Sequence, residues 1–233
     1  MILMYHAVAD VPEDPNYLSV APQRFAEQMA WMAARGLRGV SIAALVDAMR
    51  QGKTRGMVGI TFDDGYTSVI ESALPVLKKH GFGATVFIIS GLLGGTNEWD
   101  EGPSWPLMSG DQVNELAAAG IEIGSHSATH MRLAGASEEQ LRDETADSRT
   151  ALTKLCGTDI GGFAYPYGSM DASARAAVRE AGYDYACAVQ TPGSELGLMA
   201  LPRVYIGQSD SAARLAVKRA LYLPYVAIKG RNA

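Results

Sequence analysis

The sequence is poor in the residues that mark several function classes. Its 233 residues include two cysteines, Cys156 and Cys187. Both lie in apolar settings, match neither a disulfide framework nor a metal knuckle, and read as core residues. A cationic excess is missing too. Twenty Lys and Arg against 25 Asp and Glu give a formal net charge of -5, which removes the basic footprint that phosphate contacts require and with it nucleic acid as a partner. No apolar run reaches the roughly 20 residues of a spanning helix. The opening Met-Ile-Leu-Met-Tyr-His lacks the basic region, long apolar stretch and cleavage site of a secretory signal, so a cytoplasmic protein is expected.

What remains is a chain with 48% hydrophobic residues, enough for a sizeable core and best read as one domain over residues 1–233. Short apolar runs near positions 3, 60, 87, 123, 164, 187 and 204 read as strands, the last being Leu201 to Ile206. Helical patterns fall between most of them. Phe25, Met29 and Met32 recur at helical spacing between Pro22 and Arg35. Ser41 caps a helix reaching Arg50. Pro75 bends or restarts a helix between Tyr66 and His80, and Ser137 to Gln140 is a capping box that opens a long helix to about Cys156. Ser209 or Asp210 begins a final helix through about Tyr222. The tail from Lys218 to Lys229 is basic and partly apolar, but Pro224 should break it, so membrane association is not expected. Alternation of strand and helix argues an α/β protein with a parallel barrel, distorted or incomplete relative to eight units.

Chemistry gathers where strands end. The run Gly59-Ile60-Thr61-Phe62 stops in Asp63-Asp64-Gly65, and two adjacent carboxylates coexist when one takes a cation or holds a proton. That suggests a metal ligand beside a base, although a solvated turn capping the next helix would also use such residues. A second strand runs into His126-Ser127-Ala128-Thr129-His130. Histidines four apart face one side of a helical turn and can share a metal ion. No Glu follows the first, so a base must come from elsewhere. One carboxylate and two imidazoles make a three-ligand site with open positions for water, as in hydrolytic zinc centres. His6, directly after the first strand, is either a site residue or a core histidine. His80, beside Lys78 and Lys79 at a helix end, reads as surface. The segment Gly91 to Gly110 is long for a compact domain, and its Trp99 and Trp105 either stack on sugar rings or pack the loop.

Taken in order, Thr61-Phe62-Asp63-Asp64-Gly65, His126-Ser127-Ala128-Thr129-His130 and Phe163-Ala164-Tyr165-Pro166-Tyr167-Gly168 resemble the motifs of the polysaccharide deacetylases, the NodB-homology or carbohydrate esterase family 4 group. The resemblance covers nearly the whole chain. It implies a distorted (β/α)7 barrel and metal-dependent hydrolysis of an N-acetyl group on an amino sugar or polysaccharide. It further implies Asp64, His126 and His130 as ligands of one divalent ion, zinc first and cobalt, nickel or iron as alternatives. Asp63 would be the general base, and the backbone N–H of Tyr167 would hold the oxyanion, with Trp99 a candidate substrate contact. Two departures stand out. Ala164 occupies the place where the family usually carries an arginine that orients the base, and Arg203, on the last strand, is the expected substitute because a buried arginine needs a carboxylate. No histidine follows His130, whereas Tyr5-His6 resembles the circularly permuted poly-N-acetylglucosamine deacetylases, so His6 inherits the role of general acid. A deacylase acting on a small non-sugar amide and an inactive sugar-binding module are the competing readings. Oligomeric state is not legible.

Overall fold

The structure, a computed structural model, describes residues 1–189 and 194–229. The chain runs β1 (Ile2–Tyr5), α1 (Pro22–Ala33), β2 (Arg38–Val40), α2 (Ile42–Arg50) and β3 (Met57–Phe62), then a π-helical turn (Val69–Ala73) continuing into α3 (Leu74–His80). Next come β4 (Thr85–Ile88), α4 (Gly110–Ala118), β5 (Glu122–Ser125) and α5 (Glu138–Arg142), which passes through a second π-helical turn (Asp143–Asp147) into α6 (Ser148–Cys156). β6 (Gly162–Ala164), α7 (Ala172–Glu180), β7 (Tyr185–Ala188), β8 (Leu201–Pro202), β9 (Val204–Tyr205) and α8 (Ala212–Lys229) follow.

Every strand pair is parallel. The sheet order β8-β7-β6-β5-β4-β3-β1-β9 brings the first and last stretches round to meet. β8 pairs with β7 and β9 with β1, so the single run 201–205 serves both edges and the barrel's seam lies at Arg203. Counting β8 and β9 as one stave gives seven, the incomplete (β/α)7 barrel that the alternation predicts. The seventh strand is therefore not continuous from Leu201 to Ile206. Pro202 has no N–H to give a ladder, and pairing changes partner just after it. β2 is an addition to the expected seven strands. It pairs with Met57 to Gly59, while β4 pairs further along at Thr61 and Phe62. Three residues, one of them glycine, carry no period-2 signal, so this strand leaves no mark in the sequence.

Strand parity divides the core. Leu3, Tyr5, Ile60, Phe62, Val86, Ile88, Ile123, Phe163, Ala186 and Ala188 join one cluster with helix residues such as Phe25, Met29, Leu77 and Leu116. The alternate residues Ile2, Phe87, Ala164, Tyr185, Cys187 and Leu201 form another, with Ile42, Leu45 and Val46 of α2. Side chains alternate across a strand, so one set faces the helices and the other fills the barrel. Large rings in that narrow interior require glycines opposite. A Cβ on Gly124 would stand 2.5 Å from the Phe87 ring.

The helices start where their caps predict. Ser41 accepts from the Ala44 N–H, and Ser109 with Gln112 and Ser137 with Gln140 complete capping boxes. The last helix starts later than Ser209 or Asp210 would have it, with Ser211 accepting from the Arg214 N–H. It also continues past Pro224 to Lys229, because a proline removes one hydrogen bond and can bend a helix without ending it. Residues 191–193 of the connection Thr191 to Gly197 lie outside the described residues, and 194–197 open a short 3-10 turn. Among the described residues no helix is long and apolar enough to cross a membrane.

Candidate active site

Because all strands run in one direction, the residues that follow them share one rim: His6 after β1, Asp63 and Asp64 after β3, His126 after β5, Tyr165 after β6. A cleft of about 440 Å³ opens there, lined among others by His6, Asp63, Asp64, His126, His130 and Tyr167.

The two carboxylates part company through the backbone. Asp64 has φ of 70°, and the Gly65 N–H donates to the Asp63 carbonyl at 2.9 Å, closing a three-residue turn. Gly65 is left-handed as well, at φ 79°. A left-handed non-glycine residue costs on the order of 1–3 kcal/mol and persists only where its surroundings enforce it. Here the turn sends successive aspartates to different partners.

Asp63 meets Arg203. The guanidinium donates from Nη1 to Oδ1 at 2.6 Å and from Nη2 to Oδ2 at 2.7 Å, a bidentate pair in which both residues are 2% exposed. Arg203 also donates to Thr61 Oγ1 and to the Ala188 carbonyl, and Thr61 donates on to the Leu3 carbonyl. The seam of the barrel is thus where the buried cation enters. Burial pushes the Asp63 carboxyl up, but Arg203, with help from His126, outweighs it and holds the group below its ordinary value.

Asp64 meets the histidines. Nε2 of His126 and Nε2 of His130 each stand 3.3 Å from Asp64 Oδ1. The three donor atoms lie within 4.8 Å of one another, and all three residues are buried. The imidazoles are close but not aligned as hydrogen-bond donors, so Oδ1 is a buried acceptor without a donor. Such an atom suits a cation. His126 Nδ1 lies 2.8 Å from the Ala164 carbonyl, which makes it a protonated nitrogen and, in the neutral ring, leaves Nε2 with the lone pair. This set of one carboxylate oxygen and two imidazole nitrogens suits a divalent first-row metal ion. Burial pulls His126 down, yet the aspartates outweigh it and raise it above its ordinary value, whereas burial wins at His130 and lowers it. The carboxylates therefore attract a positive charge to this point.

The histidine segment is not the helical turn expected from its spacing. Residues 126–130 form a loop in which Ser127 has φ of 68° and His130 φ of 65°. Two left-handed residues, not helical periodicity, bring the rings to one side.

His6 is half-buried and lines the cleft, and no hydrogen-bond partner meets its Nδ1 among the described residues. Tyr167 has φ of 56°, is 41% exposed, and carries the Arg132 guanidinium 4.1 Å from its ring centroid. Of the two readings for Trp99, stacking on a sugar ring and packing the loop, its contacts fit the second. Its ring packs 4.5 Å from that of His130 and joins a small cluster with Ala7, Tyr66 and Leu107, so it backs a histidine instead of lining the cleft. Trp105 is half-buried against Tyr66. These contacts favour loop packing over an open sugar platform. His80 sits at the end of α3 against Phe82, away from the rim.

Sequence reasoning missed several residues of the cleft. Asp100, Asn16 and Arg132 all line it, and nothing in their local pattern marks them because they come from irregular segments. Burial and then the charge of Asp64 raise the Asp100 carboxyl. Tyr66 is buried behind Asp64, and the same two causes, burial and then that charge, raise its phenol.

The sequence profile described as "Polysaccharide deacetylase" matches residues 50–186. Among curated proteins, "Putative polysaccharide deacetylase YxkH" of Bacillus subtilis (strain 168) is 32% identical over 218 residues, covering 91% of this chain and 73% of its own. The poly-beta-1,6-N-acetyl-D-glucosamine N-deacetylase of Staphylococcus aureus is 28% identical over 221 residues, with 89% and 73% covered. Among solved structures, Streptococcus pyogenes deacetylase PplD in complex with acetate superposes with a TM-score of 0.79 at 27% identity, over 93% of this chain and 96% of that one. IcaB from Ammonifex degensii gives 0.79 at 26% identity, over 93% and 94%.

Proposed function

This chain belongs to the polysaccharide deacetylase family, and we propose that Asp64, His126 and His130 hold its one divalent ion, zinc before cobalt, nickel or iron, while Asp63 and His6 share the proton transfers. The enzyme is a metal-dependent carbohydrate deacetylase that hydrolyses the N-acetyl group of an acetylated amino sugar, releasing acetate and a free amine. The observation that supports these roles most is the divergence of the two adjacent aspartates, one onto two imidazoles and one onto a buried arginine.

When bound, the ion supplies a Lewis acid that polarises the acetyl carbonyl and acidifies the attacking water. The residues do the rest. Asp63 takes the proton of the water that attacks the carbonyl carbon, using a lone pair that Arg203 leaves open, since each carboxylate oxygen accepts two hydrogen bonds. A carboxylate held below its ordinary pKa is a weak base, and it serves only because the water is acidified beside it. Arg203 keeps Asp63 ionised and fixed in one rotamer. The oxyanion of the tetrahedral intermediate takes a hydrogen bond from the backbone N–H of Tyr167. His6 then gives a proton to the departing nitrogen, the C–N bond breaks, and the starting state returns as Asp63 releases its proton to solvent and His6 takes one up.

The test is acetate release from an oligomer of β-1,6-linked N-acetylglucosamine, the substrate class of the Staphylococcus aureus relative, alongside simple acyl amides that carry no sugar. Turnover of the oligomer that stops on chelation and returns with added zinc or cobalt supports the reading. Turnover confined to the simple amides would move the protein to a non-sugar deacylase, and metal binding with no turnover of either would leave a sugar-binding module.

A further inference from the structure

We propose that Glu144 is a positioning residue of the metal site, a buried carboxylate that sets the shape of the histidine loop before any ion arrives. The inference rests on the reading that Asp64, His126 and His130 hold a metal.

Glu144 lies in the π-helical turn between α5 and α6 and is only 4% exposed. Its Oε2 accepts the N–H groups of both Ala128 and Thr129 at 2.9 Å, and its Oε1 accepts the Thr129 hydroxyl at 2.5 Å. Among the described residues no Lys, Arg or His pairs with it, so three donors from one five-residue loop are what hold this buried carboxylate. Those donors lie between the two histidines.

The loop needs such a clamp. Ser127 and His130 are left-handed without being glycine, a shape that a free chain would leave for a commoner one. Other contacts fix its edges: Ser127 Oγ accepts from the His130 N–H, and Ser125 Oγ accepts from the Ser127 N–H and meets Ser148 Oγ at 2.6 Å. Ser90 and Gly91 donate their N–H groups to the carbonyls of Ser127 and Ala128. Only Glu144 gathers the two consecutive amides at the loop's centre. The wide turn places Glu144 and Ser148 four residues apart under the same loop, a use consistent with the frequency of π-turns at functional sites. Ligand positions held by an outer layer of hydrogen bonds bind metal more tightly because less is ordered on binding.

The experiment is zinc titration of the metal-free protein in competition with a chromophoric chelator, with thermal unfolding of the metal-free form as a control. Glu144→Ala should bind zinc about 10–100-fold more weakly than the unaltered protein. Glu144→Gln keeps the shape and one acceptor oxygen and should fall between them, and Thr129→Val, which loses only the hydroxyl contact, should lose least. Should Glu144→Ala fail to fold, Glu144→Gln and Thr129→Val carry the same ordering. If these variants unfold at lower temperature yet bind zinc as tightly as the unaltered protein, Glu144 is merely structural and the inference is overturned. If the unaltered protein itself takes up no zinc or cobalt, the metal reading fails first.

Discussion

Replacing Arg203 with methionine isolates the buried pair, because methionine roughly fills the stem's volume and removes only the guanidinium. The substitution takes away two charge-assisted bonds of 2.6 and 2.7 Å to Asp63 and the donor to the Ala188 carbonyl. It leaves an ionised carboxyl in a site where it is 2% exposed. Breaking one side of a buried pair costs about 3–5 kcal/mol, a large share of the roughly 5–15 kcal/mol that a domain has. Removing both charges in Arg203→Met with Asp63→Asn should recover most of that loss, so the coupling measured by the double cycle should be of similar size. The pH dependence carries a definite sign. Asp63 is held below its ordinary value, so its contribution to stability is present above the ordinary carboxylate pKa and lost as pH falls through the folded one. The gap between the two proteins should therefore be full at neutral pH and close below about pH 4. In activity, the variant keeps the burial of Asp63 and loses the guanidinium that opposes it, so the acid limb should move to higher pH. Urea unfolding of the metal-free proteins and a pH–rate profile of the loaded ones read both effects. A variant within about 1 kcal/mol of the unaltered protein, well below the usual cost of an orphaned buried charge, with its acid limb unmoved, would refute the pairing as the device that keeps Asp63 ionised.

Four further substitutions separate the remaining roles. His126→Ala and His130→Ala should each lose stoichiometric zinc by metal analysis after dialysis, and retention at unchanged affinity in both would remove them from the ligand set. Asp63→Asn should keep its metal and lose about 10²–10⁴-fold in turnover, the usual worth of a general base. Loss of metal with normal turnover per bound ion would instead mean that Asp63 and Asp64 have exchanged roles. His6→Ala should keep fold and metal and lose most amide hydrolysis, while an activated acetate ester, whose leaving group needs little protonation, should suffer far less. Equal losses on ester and amide, or none on either, would return His6 to a structural role.

The parts of the fold and site that were legible in the sequence are those written in local pattern. Strand ends could be read because Ile60 to Phe62 and Ile123 to Ser125 stop in residues that no strand interior would choose. One-directional strands then imply that whatever follows each of them shares a rim. The seven staves come from the apolar runs, the shared rim of Asp63, Asp64, His126 and His130 from that rule, and the place of His6 in the site from the resemblance as well. The misses have the opposite character. β2 has three residues and borrows its pairing from β3. The conformation of the histidine loop depends on φ at Ser127 and His130, and neither residue type announces a left-handed backbone. Glu144 did leave a trace: it follows Leu141 by three residues on the face that also carries Ser148 and Leu152 inward. A carboxylate on the buried stripe of a helix needs a partner, but the sequence does not say which.

The seam also bears on why two neighbouring aspartates can both stay ionised in a buried site. Two carboxylates sharing one environment would raise each other until one held a proton. Here each has its own partners, a guanidinium at 2.6 Å for Asp63 and two imidazoles at 3.3 Å for Asp64, and the left-handed turn at Asp64 keeps the two sets apart. The partners differ in kind. Arg203 cannot lose its proton near neutral pH, so Asp63 is kept as a carboxylate whatever occupies the other site. His126, which the aspartates raise above its ordinary value, can lose its proton, so the place beside Asp64 is free to exchange a proton for a metal ion. A permanent cation for the base and a replaceable one for the ligand is the division that the chemistry needs. It is reached because the barrel closes through a stretch, 201–205, whose middle residue belongs to neither edge and turns inward instead.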